Sequence, residues 1–320
     1  MILLDIENLS LHYRTPAGNV QALRQVSLQA NAGEVLGIMG ESGCGKSTLA
    51  AAIINLLGAN AQVTGGEVRY RGRDILTLPV EDQRRLRGPH IGMIFQDPMT
   101  AFNPVLTIGA QLVDFQHQLP DPPATKRANA LAMLAKVGIP DPALCLRRYP
   151  HELSGGMRQR AAIAAALLLQ PDVLLADEPT TALDVTMEAQ IIHLLRALRQ
   201  DYQGAIVIVT HHLGVIAELC DRVVVMYAGQ VVEQGLVDDI YHAPRHPYTA
   251  ALIACDPGAI SATGARLPTI GGRLPDLMHL GPGCAFAPRC SLAETQCHAS
   301  PPPRVQVSAS QSALCHRVQP

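Results

Sequence analysis

Gly40, Glu41, Ser42, Gly43, Cys44, Gly45, Lys46, Ser47 and Thr48 form a glycine-rich loop closed by a lysine and two hydroxyls, the G-x-x-x-x-G-K-[ST] spacing that cradles phosphate. The glycines let the backbone curl so that successive N–H groups point inward, and a helix start beyond them adds its positive end. Lys46 supplies a mobile cation for the outer phosphates, while the Ser47 hydroxyl is placed to ligate magnesium. A second signal is acidic: the apolar run 173–176 ends in Asp177 and Glu178. Asp177 suits a magnesium ion held through water, and Glu178 suits a general base that polarises an attacking water. Gln96, at the end of another apolar run, can hold magnesium or orient water, although a glutamine at a strand end is also commonly just solvated.

Three further positions carry two readings each. Ser154 can cap a helix whose next residues, Gly155 and Gly156, expose its first N–H groups, making either a second anion cradle or an ordinary helix start. Tyr13 is either a half-buried strand residue or a face for a purine to stack on. His211 ends an apolar run and either donates to a phosphate or is structural. Of eight cysteines, Cys284, Cys290, Cys297 and Cys315 crowd the C-terminal end. Clustered thiols in a reducing compartment suit soft-metal ligation; their wide spacing leaves an iron–sulfur cluster, zinc and free thiols all open.

The elements that must position these groups follow from the apolar patterning. Residues 34–39 read as a buried strand running into the phosphate loop, and 49–57 as the helix leaving it. The first 33 residues alternate as paired strands around a turn at 15–18, and 65–70 and 91–96 read as strands. Residues 105–150 are helical in pattern with proline breaks. Ser154 opens a helix to Leu169, 173–177 and 205–210 are buried strands with a helix over about 186–200 between them, and 222–235 is strand, tight turn and strand. Past residue 240 the composition shifts toward Pro, Gly and Cys. With 320 residues and 48% hydrophobic content the chain can bury a large core. A net charge of −2 offers no basic field for nucleic acid. No apolar run approaches the roughly 18 residues that cross a bilayer and no signal peptide opens the chain, so a cytoplasmic protein is expected.

In this order and spacing, the phosphate loop, Gln96, Leu153 to Gly156, Asp177 with Glu178, Ala182 to Asp184 and His211 resemble the ATP-binding-cassette ATPases over about residues 3–240. The resemblance implies an α/β fold: a phosphate-loop ATPase domain at 1–240 with a mixed sheet and a helical subdomain at about 97–165, then a small Cys-rich extension at 241–320. It implies that Tyr13 stacks on adenine, that Lys46, Ser47 and Asp177 hold the phosphates of ATP and Mg2+, and that Gln96, Glu178 and His211 complete the hydrolytic site. Asp184 would join them in completing that site, while Ser154, Gly155, Gly156 and Gln159 would reach the nucleotide on an opposing subunit, and Gln96 would link the site to the membrane partner. A narrower resemblance, carried by 95–104, 149–160 and 244–249, is to the dipeptide, oligopeptide and nickel importer group, and Met157 and Met99 are more like the first of that group's two ATPase subunits. The partners implied are a second, related ATPase, two transmembrane permease subunits and, indirectly, an extracytoplasmic solute-binding protein, with this chain peripheral on the cytoplasmic face of the inner membrane. The cysteines resemble an extension that holds a [4Fe-4S] cluster. Cys44 departs from the usual serine and sets a thiol beside phosphate; His212 stands where aspartate is usual. The rival readings are a non-transport cassette ATPase of translation or repair, disfavoured by a single cassette without heptads between Ser47 and Ser154, and a metal- or redox-sensing regulatory ATPase.

Overall fold

The computed structural model describes residues 1–98, 100–181, 184–256 and 268–319; Met99, Ala182 and Leu183, used in the resemblance, lie outside them. The alternating N-terminus forms two long strands, β1 (Ile2–Thr15) and β2 (Gly18–Asn31), and an unbroken apolar run forms the fully buried β3 (Val35–Met39). The phosphate loop leads from β3 into α1 (Lys46–Ile53), followed by β4 (Ala61–Tyr70), β5 (Arg73–Asp74), α2 (Val80–Leu86) and β6 (Ile91–Ile94). Prolines then punctuate α3 (Ile108–Asp114), α4 (Pro123–Lys136) and α5 (Pro142–Cys145), with Pro123 and Pro142 in first turns that need no N–H donor. Next come α6 (Gly155–Leu167), β7 (Val173–Asp177), α7 (Val185–Asp201), β8 (Ala205–Thr210) and α8 (Leu213–Leu219). β9 (Arg222–Tyr227) and β10 (Gln230–Leu236) form a hairpin whose turn residues Ala228 and Gly229 both have positive φ, 47° and 78°, as a two-residue turn of primed type requires. The chain ends with α9 (Val237–His242), α10 (Pro247–Ala254), α11 (Thr295–Ala299), β11 (Arg304–Gln306) and β12 (Ser312–Leu314).

These elements assemble as two units, each drawn from distant segments. The first comprises Met1–Leu3, Ala30–Glu34 and Thr77–Ile208. Within it β7, β6 and the start of β8 lie side by side, β6 running parallel to β7 from the pair Ile91–Val173 to Ile94–Ala176; α6 packs on β6, and α4 packs on α3, α5 and α6. Every residue of β7 is buried, which is why its sequence shows no alternation.

The second unit comprises Leu4–Gln29, Val35–Leu76 and Val209–Pro320. One of its sheets is antiparallel in the order β2-β1-β4-β5, with Leu4 opposite Tyr70 and Tyr13 opposite Ala61. The other strands run β11-β12-β10-β9-β3, where β3 and β9 are parallel and the rest antiparallel. The composition shift near residue 240 therefore falls inside this unit. The tail returns to the sheet: β12 sets Ala313 opposite Glu233 and Ser312 opposite Gln234, and Gln311 Nε2 donates to Glu233 Oε1 at 2.9 Å. In this way a short tail strand takes up hydrogen-bonding groups along the β10 edge.

Candidate functional site

In the second unit the phosphate loop has the backbone its glycines predict. Gly40 and Gly45 take φ of 155° and 106°. A Cβ on Gly40 would lie 2.3 Å from the Met226 carbonyl oxygen, and one on Gly45 2.5 Å from that of Ala22, so neither position admits a side chain. Gly45 is also the N-cap of α1 and offers no side-chain acceptor to its first N–H groups. Lys46 is 6% exposed, and its Nζ donates to the carbonyls of Gly40 at 2.6 Å and Glu41 at 3.2 Å. Ser42, Gly43 and Ser47 are exposed. The Tyr13 hydroxyl donates to Thr48 Oγ1 at 3.4 Å, which ties β1 to the last residue of the loop. Cys44 differs from expectation. Its thiol is buried beneath the loop, 4.0 Å from Lys46 Nζ, and burial pushes its pKa up against the lowering effect of that ammonium. Burial thus favours the neutral thiol, packed under the loop. His211 and His212 follow β8 on the surface with ring centroids 4.3 Å apart, and the His212 N–H donates to Thr210 Oγ1 at 3.0 Å.

In the first unit, β7 delivers Asp177 at its buried end and Glu178 immediately after. Glu178 has φ of 48°, a left-handed conformation that costs a non-glycine residue about 1 kcal/mol or more and turns the side chain out of the strand alternation. Its carboxylate accepts from Gln96 Nε2 at 3.0 Å and from Thr181 Oγ1 at 2.8 Å. The structure thus brings Gln96 and Glu178 together. Thr181 was missed; its only sequence signal is a hydroxyl three residues after a carboxylate, a common local pattern.

Also in the first unit, Ser154 is the N-cap of α6, its Oγ accepting from the Met157 N–H at 3.3 Å. Ser154 and Gly155 are exposed, whereas Gly156 is packed so closely that an added Cβ would fall 1.4 Å from Met187 Cε. Gln159 turns inward, 2% exposed, and donates to the Pro179 carbonyl at 2.7 Å. Asp184 caps α7 by accepting from the Met187 N–H at 2.9 Å. One packed block therefore contains the Ser154 helix start, the segment after Glu178 and the start of α7.

In the second unit Cys284, Cys290, Cys297 and Cys315 line a single small cavity of about 20 Å³ with His246 and Phe286, and the Cys284 N–H donates to the Cys297 carbonyl at 2.8 Å. Burial raises the Cys284 and Cys315 thiols above the usual range. Among the described residues no three His, Cys, Asp or Glu side chains are arranged to hold a metal ion, so the expected ligand set is gathered without forming a coordination sphere.

Family models that match the chain include ABC transporter over residues 23–181 and oligopeptide/dipeptide transporter, C-terminal region, over 232–297. The oligopeptide transport ATP-binding protein OppD of Haemophilus influenzae is 45% identical over 93% of this chain and 92% of its own length. The dipeptide transport ATP-binding protein DppD of Bacillus subtilis is 47% identical over 90% and 86%. The chain belongs to the ATP-binding-cassette ATPases of the oligopeptide and dipeptide transporter family. It is an ATPase, for which ATP and Mg2+ are the working ligands. The fold is that of solved cassettes: the dimeric post-hydrolysis structure of the cassette MJ0796 with ADP and Pi superposes with a TM-score of 0.65 at 30% identity, over 73% of this chain and 98% of that one. CbiO1 of Clostridium perfringens gives 0.65 at 28% identity, over 76% and 91%. Among the described residues no helix is long and apolar enough to cross a membrane.

Proposed function

We propose that this chain supplies the ATP hydrolysis that drives import of peptides, as one of two related but different ATPase subunits working beneath two membrane permeases on the cytoplasmic face of the inner membrane. An extracytoplasmic binding protein would hand over the solute. The observation that carries the solute class is the match of residues 232–297 to the oligopeptide/dipeptide C-terminal region on the same chain as the cassette. Residues 1–240 act as the cassette, with 97–165 as its helical subdomain, and 241–320 as the extension.

The residue roles follow from chemistry. Lys46 neutralises charge gathering on the outer phosphates, and loop N–H groups beside Gly43 and Gly45 hold them. Ser47 in the second unit, and Asp177 and Gln96 in the first, each carry an oxygen donor of the kind Mg2+ takes, and the ion would screen phosphate charge when bound. Glu178, fixed by Gln96 and Thr181, takes the proton of the attacking water, and His211 steadies the developing charge. Tyr13 stacks on the base. Ser154, Gly155 and Gly156 face the nucleotide of the partner cassette, with Gln159 bracing that helix start from inside and Asp184 capping the next helix. The four C-terminal thiols have the soft, four-fold donor chemistry that fits a [4Fe-4S] cluster, whose contribution when bound would be a structural cross-link.

Reconstitution with the permeases and partner ATPase in vesicles tests the reading. ATP-dependent uptake of labelled peptide is expected, and Glu178→Gln should still bind ATP while losing about 10²-fold or more of its turnover. Uptake of nickel or a metal chelate without peptide would overturn the solute class, and normal turnover in Glu178→Gln would remove it as base. Anaerobic purification with iron and sulfide assay tests the cluster; a folded, iron-free protein would dismiss it.

A further inference from the structure

Glu41, the second residue of the phosphate loop, is held by the C-terminal part of the second unit. Its N–H donates to the Tyr248 hydroxyl of α10 at 2.9 Å. Its carboxylate is gripped by the Arg289 fork, Nη1 to Oε2 at 2.7 Å and Nη2 to Oε1 at 3.0 Å. Its carbonyl receives Lys46 Nζ. Residue 41 is therefore fixed at its amide, its side chain and its carbonyl, and the first two fixings come from more than 200 positions along the chain.

Arg289 is itself held. Its side chain is 4% exposed, Nε donates to the Gly271 carbonyl at 2.9 Å, Nη2 to that of Ile270 at 3.1 Å, and Nη1 to the Tyr227 hydroxyl at 3.3 Å. The guanidinium lies over the rings of Tyr227 and Phe286, 5.7 and 6.0 Å from their centroids. Those rings pack with Tyr248, Tyr227 against Tyr248 at 4.6 Å and Phe286 edge-on to both. Burial keeps the Tyr248 phenol neutral, so it remains a partner of constant charge for the loop amide. A planar five-donor fork with this many partners is pre-organised, and lysine cannot reproduce it.

We propose that Arg289 is a positioning residue for nucleotide binding: with Tyr248 it clamps Glu41, and through it sets the carbonyls that hold Lys46 and the entry to the N–H cradle. The C-terminal extension then contributes to the affinity of the loop for ATP although none of its residues need touch the nucleotide. The inference rests on Gly40 to Thr48 being the nucleotide loop.

Titration of the full-length chain with a fluorescent ATP analogue, alongside KM and kcat for ATP, tests it. Arg289→Ala should raise Kd and KM about tenfold, the scale of one lost charge-assisted pair, with a smaller change in kcat. Arg289→Lys should fall between, Glu41→Gln should resemble Arg289→Ala, and the double variant should be no worse than the poorer single one. An affinity within about twofold of the parent in a folded Arg289→Ala, or additive losses in the cycle, would overturn the proposal. If Arg289→Ala does not fold, Arg289→Lys and Glu41→Gln decide, because a purely structural clamp lowers their melting temperatures and leaves Kd unmoved. A parent protein that binds no ATP would instead overturn the loop assignment itself.

Discussion

Two helix starts in this chain look alike in sequence, each with paired small residues before an apolar helix, yet they are built differently. At α1 the cap is a glycine with φ of 106°, no side chain takes up the first N–H groups, and a buried lysine follows. At α6 the cap is Ser154, which spends its hydroxyl on the Met157 N–H, and no charged group follows in the first turn until Arg158. The first start gives up local stability for a cradle that needs a multiply charged anion to complete it. The second has one of its first-turn N–H groups already taken by Ser154 and is pinned by Gly156 packing on Met187, so it suits a contact that forms and breaks as an assembled machine closes and opens. If both starts meet phosphate, a strong site and a weak, reversible one would differ in where the first-turn N–H groups go.

Lys46→Ala should widen this contrast most. If the α1 start depends on its lysine, ATP affinity should drop a hundredfold or more, since charge-assisted bonds to phosphate run to about 3 kcal/mol each. Equilibrium titration measures it; retained affinity would make the two starts equivalent.

A third helix start, at α10, has a conditional cap. His246 Nδ1 accepts from the Tyr248 N–H at 3.0 Å, the ring is 1% exposed, and burial lowers its pKa to about 4. The cap exists only while the imidazole is neutral. Above the ordinary histidine pKa of 6.5 neither state binds the proton; between 6.5 and about 4 the unfolded chain binds it and the native chain does not. Stability should therefore fall as pH falls through that window, by up to about 3 kcal/mol, and level off below it. Urea unfolding at several pH values should show this slope flattened in His246→Asn, which keeps an acceptor at the cap without titrating. An unchanged slope would assign the pH dependence elsewhere.

What the sequence disclosed divides along the same line. The buried strands 173–177 and 205–210, the Gly40 to Thr48 backbone and the Ser154 cap were all legible, because each is written in a contiguous period or spacing. Arg289 gripping Glu41 was not: a single arginine in an aperiodic, proline-rich tail gives no local sign of a partner 248 positions away. The same holds for β12 joining β10, since three residues are too short for a strand pattern, and for Gln159, whose inward turn depends on the Pro179 carbonyl. The left-handed Glu178 was hidden because nothing about glutamate favours that backbone; the surrounding fold imposes it.

The adjacent glycines at α6 offer a smaller test. Gly156→Ala must displace Met187 and should cost about 1–3 kcal/mol by overpacking. Gly155→Ala meets nothing within 4 Å and should be neutral or slightly stabilising. Thermal melts of both compare them directly. Equal effects would mean that the α6 start is not pinned through Gly156, and its rigidity relative to α1 would need another source.

Ser154 separates the two roles assigned to α6 by the smallest expected change. As a cap alone, Ser154→Ala should cost about 1 kcal/mol and Ser154→Gly only a few tenths. Ser154→Asp should keep the cap and gain slightly from the helix dipole. If the hydroxyl also faces the phosphate of a partner nucleotide, the ranking by stability and the ranking by turnover must differ. Asp would then be the most stable of the three and the least active in the assembled transporter, because it sets a carboxylate against a phosphate. Turnover that simply tracks the melting temperature across Ala, Gly and Asp would leave Ser154 as a cap and nothing more. In that case the second helix start would contrast with the phosphate loop in construction but not in ligand, and Gly155, exposed beside it, would have to present the phosphate-facing N–H by itself.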